Sequence, residues 1–197
     1  MKGKIKANTV DRYLLPIRLQ IVELIKPNST VLEFGCGNGD LLFKLSNKII
    51  SGVGIDNSKK LIAYANARIG REQVINLEFK LIDILKDTFL ETEKDYFIAS
   101  LLFHILPWEN SVELIEKMSS NAKTTVICGF SKPENFKQKL LLWLDQRFTK
   151  HYRNFQEYEE NGFTEGLLNS IQDIEYSTID TFDPVIKIYK ITKHKNV

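Results

Sequence analysis

The sequence predicts an α/β fold: a three-layer α/β/α sandwich around a doubly wound, mostly parallel seven-stranded sheet, with an antiparallel C-terminal β-hairpin. Three observations predict it. Short apolar runs alternate with segments of helical periodicity over the first two thirds of the chain. A glycine-rich turn, Gly35-Cys36-Gly37-Asn38-Gly39, joins the first such run to a helical one. Two β-forming runs near the end are joined only by Asp183-Pro184, too short a link for a parallel crossover.

Taken in order, the first element is a helix over 11–26. Leu14, Leu15, Leu19, Val22 and Ile25 recur at helical spacing, and Pro27-Asn28 ends it. Thr30–Phe34 is a buried strand before the glycines, and 40–45 returns to helical spacing. Ser51–Ile55 reads as a strand, then 58–69 as a helix with a serine cap. Leu77–Ile82 is a strand. Asp95–Phe103 (DYFIASLLF) is a strand too apolar to expose either face. A helix follows over 111–118 and a further buried strand over 124–130. Residues 133–152 read as one long helix that 154–161 continue or bend away from. Its stripe of Leu140, Leu141, Leu144 and Phe148 reads as core. Ile174–Phe182 and Val185–Thr192 form the hairpin, bringing the strands to seven.

The totals fit a single domain over 1–197. The chain is 43% hydrophobic and 26% charged, with a net charge of +2, too small to argue for nucleic acid or an anionic surface. No run approaches the ~18 apolar residues of a membrane span. The two cysteines, Cys36 and Cys128, lack metal-ligand spacing, so no metal site is expected. The basic start, MKGKIKANTVDRY, lacks an apolar signal core, and the expected location is cytoplasmic.

The glycine turn has the form of a nucleotide cradle, strand then small residues then helix start. It departs from the dinucleotide fingerprint G-x-G-x-x-G, because its third glycine comes one position early and Asp40 stands in its place. A carboxylate there would repel a pyrophosphate. No Gly-Lys-Ser/Thr follows, which excludes the NTPase phosphate loop. Asp56 ends the second strand, 21 positions after Gly35, where an acidic residue meets ribose hydroxyls. Asp83 ends the third strand and is placed to accept from an exocyclic amine. Together they point to a nucleoside without phosphates. The plainer alternatives are tight packing for the glycines, a helix N-terminal charge for Asp56 and a strand-end cap for Asp83. Glu33 is harder to explain that way, because it interrupts an apolar strand and a buried carboxylate without a partner is costly.

With these residues in place, the chain resembles the class I S-adenosylmethionine-dependent methyltransferases of the small-molecule type. VLEFGCGNG, GVGIDNS, LIDIL and DYFIASLLFHILP match four of that family's motifs in order, and the likeness runs from about Asp11 to Thr192. The resemblance implies S-adenosylmethionine as cofactor. It places Gly35, Cys36 and Gly37 against the methionine part and ribose, with Asn38 and Gly39 in the same turn. Glu33 would contact the cofactor's amino group, Asp56 the ribose hydroxyls, and Asn57 would lie beside the adenine. Asp83 would accept from the adenine amine, the Ile84 N–H would meet a ring nitrogen, and Ser100 and Leu101 would lie under the methionine chain.

On the substrate side, His104 is the candidate base, in the Phe103-His104 pair after the fourth strand. A structural role is its plainer alternative. Arg12 and Tyr13 of the first helix, with Tyr152, Arg153 and Tyr158 of a cover over 133–163, would line the acceptor pocket with Phe103. The expected partner is a small-molecule acceptor. The chain lacks D/N-P-P-Y/F and a Pro-Cys nucleophile, which argues against nucleic-acid bases. Two further readings remain, a cofactor-binding subunit without turnover and an RNA methyltransferase.

Overall fold

A computed structural model describes residues 2–86 and 93–192, with side chains from Asp11 onward. The elements follow as α1 (Lys2–Leu24), β1 (Thr30–Phe34), α2 (Asp40–Leu45), β2 (Ser51–Asp56), α3 (Lys59–Glu72), β3 (Leu77–Leu81) and β4 (Lys94–Ser100). A 3-10 turn (Phe103–Ile105), α4 (Trp108–Asn121), β5 (Ala122–Phe130), α5 (Phe136–Gln146), α6 (Tyr152–Glu160), α7 (Phe163–Asn169), β6 (Glu175–Asp180) and β7 (Ile186–Thr192) complete it.

The seven strands form one sheet in the order β3-β2-β1-β4-β5-β7-β6. Strands β1 to β5 pair in parallel, and β7 runs antiparallel to both β5 and β6. The strand order reverses between β1 and β4, which opens a crevice at their carboxyl ends. Right-handed crossovers then put α2 and α3 on one face of the sheet and α4 on the other. In β4, Phe97, Ile98 and Ala99 are all fully buried, because both faces of a parallel sheet are covered. Among the described residues no helix is long and apolar enough to cross a membrane.

The structure corrects four local expectations. The strand predicted to reach Phe103 stops at Ser100, and Leu101 turns the chain with φ +52° into the 3-10 turn. The first helix packs through Ile17, Ile21 and Ile25, while Leu15 and Leu19 of the predicted stripe are exposed. The helix predicted over 133–152 spans only Phe136–Gln146 as α5, and the segment after it forms the separate helix α6 over Tyr152–Glu160. The stripe read as core on α5 faces solvent instead: Leu140, Leu141, Leu144 and Phe148 are exposed, and Leu142 with Gln146 packs inward.

What fixes α6 and α7 to the sheet is a buried polar knot. The Tyr158 hydroxyl and Thr164 Oγ1 lie 2.6 Å apart, and both reach the carbonyl of Phe130 at the end of β5 (3.1 and 2.8 Å). Gly129 makes room for it, since a Cβ there would lie 2.3 Å from Thr164 Oγ1. The positive φ of Gly162, +90°, turns the chain between the two helices.

Candidate functional site

The turn after β1 carries all three of its glycines at positive φ: Gly35 at +67°, Gly37 at +55° and Gly39 at +77°. Their surroundings differ. A Cβ on Gly35 would lie 2.8 Å from Leu102, and one on Gly39 would lie 2.4 Å from the Phe79 ring. A Cβ on Gly37 would meet nothing within 4 Å. Two of the glycines therefore serve close packing, and Gly37 alone leaves its face open to a ligand.

The N–H groups of the turn are largely used within the protein. Cys36 donates to the carbonyl of Ile55 (3.0 Å), Gly39 to Cys36 (2.9 Å) and Asp40 to Asn38 Oδ1 (3.2 Å). Gly37 donates to Asp56 Oδ2 (2.9 Å), while Asp56 Oδ1 accepts from the N–H of Ser58 (2.7 Å). Asp56 thus ties the first turn to the second, and its carboxylate is fixed at the end of β2. Asp83 is held likewise, accepting from the Leu85 N–H (3.1 Å) and pairing with Lys86 (3.2 Å).

Glu33 sits in β1, flanked by Gly54 of β2 and Ile98 of β4. It is 4% exposed, and its Oε2 has no hydrogen-bond partner among the described residues. Burial pushes its carboxyl up to about 8. The Arg18 guanidinium opposes that rise, while Asp40 and Asp56 add to it. The central strand therefore holds a carboxyl with an unmade bond, the arrangement that a cationic ligand group would complete.

Helix α1 is clipped onto the turn by charge. Arg18 bridges Asp11 and Asp40 (2.8 Å each), and the Asn38 amide donates to Asp11 (2.8 Å). Asp40 also meets Lys44 (2.9 Å) and Arg68 (3.3 Å). These partners hold the Asp40 carboxyl below its ordinary range against the opposing effect of its burial.

Two cavities lie beside these residues. The first follows the strand ends and is lined by Gly35, Asp56, Asn57, Asp83, Ile84 and Leu101, with Ile82, Leu85, Leu102, Ile105 and Leu106. The second, of about 540 Å³, is walled mainly by apolar side chains of α1, α5 and the β6–β7 connection. Leu101 lines both. Its left-handed backbone is uncommon for a bulky residue, and its N–H is held by the carbonyl of Cys128 (2.8 Å).

Residues 25–183 match the family described as "Methyltransferase domain". The chain belongs to this methyltransferase domain family. It is 35% identical over 86 residues to a putative methyltransferase, 235L, of Invertebrate iridescent virus 6. That match spans 43% of this chain and 29% of the viral protein. Among solved structures, the PH0226 protein of Pyrococcus horikoshii OT3 aligns with TM-score 0.72 at 14% identity, over 94% of this chain and 91% of that one. The plantazolicin methyltransferase BpumL, solved in complex with SAH, aligns with TM-score 0.65 at 19% identity, over 98% and 90%. Both likenesses show the fold, the seven-stranded methyltransferase-like sheet.

In this methyltransferase domain, six of the residues expected to hold a cofactor come together in the first cavity: Gly35, Asp56, Asn57, Asp83, Ile84 and Leu101. Glu33, Cys36, Gly37, Asn38, Gly39 and Ser100 lie in or under the adjoining turn and strand ends, outside its wall. Ser100 lies beside Cys128 in the parallel β4–β5 register, and burial pushes the Cys128 thiol up to about 12. Burial also raises the Cys36 thiol, so it stays protonated.

The expected acceptor residues scatter. Tyr13 lines the second cavity. Arg12 and Arg153 are exposed, Tyr152 stacks on Phe155, and Phe103 is buried at 2% exposure. Tyr158 belongs to the core knot and faces neither cavity, because its hydroxyl is consumed by Phe130 and Thr164. His104 packs edge-on to Phe130 at 4.9 Å between centroids. Burial lowers it to about 3, and the charge of His151 adds to the effect, so its ring is neutral at physiological pH and a weak base. Sequence reasoning missed Gln138, Asp145 and Asp183 of the second cavity. The Asp183-Pro184 link was the only trace of that wall, and it reads as a plain turn.

Proposed function

We propose that this chain is an S-adenosylmethionine-dependent methyltransferase that transfers a methyl group to a small-molecule acceptor by in-line displacement. The observation that carries the reading is the meeting of two cavities at Leu101, one at the strand ends and one large enough for a small organic molecule. S-adenosylmethionine, when bound, supplies a methyl group already activated on a sulfonium. The residues present fit it. The open face of Gly37 gives the clearance that the methionine end needs, and the orphaned Oε2 of Glu33 suits its ammonium group. Asp56, braced by Gly37 and Ser58, keeps lone pairs for ribose hydroxyls, and Asn57, Asp83 and Ile84 take the adenine side.

The protein's part is then alignment and exclusion of water. Leu101 separates the two cavities and orients what reaches across. His104 shapes the wall behind Phe130 and stays neutral, so the acceptor's proton does not depend on it. Calorimetry with S-adenosylhomocysteine tests the core of this reading. Saturable binding is expected, and Asp56→Ala should weaken it. No binding at millimolar ligand would overturn it.

A further inference from the structure

The second cavity carries charge of one sign only. Its apolar walls include Leu14, Leu101, Phe130, Leu142, Val185 and Ile186, its charged members are Asp145 and Asp183, and no Lys, Arg or His lines it among the described residues. Neither carboxylate forms an ion pair among the described residues. Asp183 accepts from the Tyr13 hydroxyl (2.5 Å) and from the Val185 N–H (3.0 Å). Asp145 accepts from the side-chain amide of its neighbour Gln146 (2.7 Å). All of these donors are neutral, so two carboxylates without a cationic partner among the described residues, Asp183 half-buried and Asp145 exposed, stand at the edge of an apolar space.

We infer that the acceptor pocket selects molecules with an apolar body and a protonated amine, and rejects carboxylates of the same shape. This rests on the assignment of the second cavity as the acceptor site. Opposite charges attract more strongly where water is thinned, and an anion entering here would lose hydration and meet two like charges. Tyr13 is 49% exposed, and partial desolvation of its hydroxyl, then Asp183 and Asp145, push it up to about 12, in line with a shared negative field. Asp183 is held on both oxygens and forms a fixed charge. Asp145 comes from α5 and is the adjustable one.

A matched pair of probes tests it: 2-phenylethylamine against 3-phenylpropionate, each titrated into the full chain saturated with S-adenosylhomocysteine. The amine should bind at least about tenfold more tightly, a gap of about 1.4 kcal/mol. Asp145→Asn should shrink that preference several-fold. Asp183→Asn, which keeps an acceptor for Tyr13, should do the same if the first variant folds poorly. Equal binding, a preference for the carboxylate, no binding of either probe, or a preference untouched in both variants would each overturn the inference. Titration with S-adenosylhomocysteine alone separates this failure from that of the cofactor reading. Homocysteine-nucleoside binding without an amine preference sinks only the acceptor class.

Discussion

Replacing Glu33 by glutamine should stabilise the unliganded protein at neutral pH while weakening its cofactor site. Glu33 titrates at about 8 in the fold against 4.5 in the ordinary state, chiefly because burial disfavours its charge. A carboxyl raised on folding binds its proton more tightly when folded. The fold is therefore at its best, with respect to Glu33, below about pH 4.5 and loses stability as pH rises toward 8. One pH unit of mismatch is worth about 1.4 kcal/mol, so at pH 7 the loss amounts to about 3 kcal/mol. In a domain of this size that is roughly 6–12 °C in Tm. Glutamine cannot ionise, so the Tm of the variant minus that of the parent should climb steadily from pH 4.5 to pH 8. The new amide offsets that difference by a constant, so its change with pH isolates Glu33. Thermal melts across that range decide it. A difference that stays flat from pH 5 to 8 would refute the raised titration of Glu33. Calorimetry adds a second arm. If Glu33 meets an ammonium, binding of S-adenosylhomocysteine at pH 7 releases close to one proton from the parent and none from the variant.

Further outcomes follow from the same geometry. Gly39→Ala forces a methyl group into the Phe79 ring at a left-handed φ and should cost about 2–4 kcal/mol in chemical denaturation. Gly37→Ala meets no atoms and should cost about 1 kcal/mol, yet weaken S-adenosylhomocysteine binding by about tenfold or more; equal stability losses at the two sites would contradict the packing assignment. Thr164→Val removes a hydroxyl from the Tyr158 and Phe130 knot and should destabilise the protein by about 1–3 kcal/mol, read from urea midpoints. His104 titrates below its ordinary value, so its contribution to stability is present above pH 6.5 and is lost as pH falls toward about 3. His104→Gln should flatten that acid-side loss, about 2 kcal/mol by pH 5, and leave no new basic limb in the rate profile.

Much of the fold was legible because buried parallel strands read as unbroken apolar runs. Thr30–Phe34 and the run around Phe97 need no tertiary information to be seen. The face of α5 was not legible for a physical reason. Periodicity shows that Leu140, Leu141, Leu144 and Phe148 share a stripe, but not whether that stripe is turned inward. The buried positions of α5 are Leu142 and Gln146 instead. The strand-end acids were legible because Asp56 and Asp83 follow their strands directly. The second cavity was hidden by distance along the chain: its Tyr13 and Asp183 meet across 170 residues, and each alone is an ordinary surface residue. Tyr158 misled for the converse reason. It sits in a charged stretch, and nothing local announces that Phe130 and Thr164 take its hydroxyl.

The geometry of the glycine turn also changes why a pyrophosphate is a poor ligand for it. From sequence, the case rests on the charge of Asp40. In the fold that charge is answered by Arg18, Lys44 and Arg68, so Asp40 mainly anchors α1 and α3 to the turn. What a phosphate needs is a set of N–H groups aimed at it. Here those of Cys36, Gly37, Gly39 and Asp40 are already donated within the protein, one of them to the carboxylate of Asp56. A phosphate would have to displace Asp56 from Gly37 and then lie beside the freed anion. An amino acid tail with a ribose asks for neither step, since it needs only the open side of Gly37 and carboxylates that stay where they are. The test is Asp56→Asn, whose amide can no longer serve as an anionic acceptor for ribose hydroxyls. It should lower the affinity for S-adenosylhomocysteine by about tenfold or more, with no gain in affinity for ADP. A gain for ADP with S-adenosylhomocysteine unchanged would show that charge alone, and not the occupied N–H groups, keeps phosphates out.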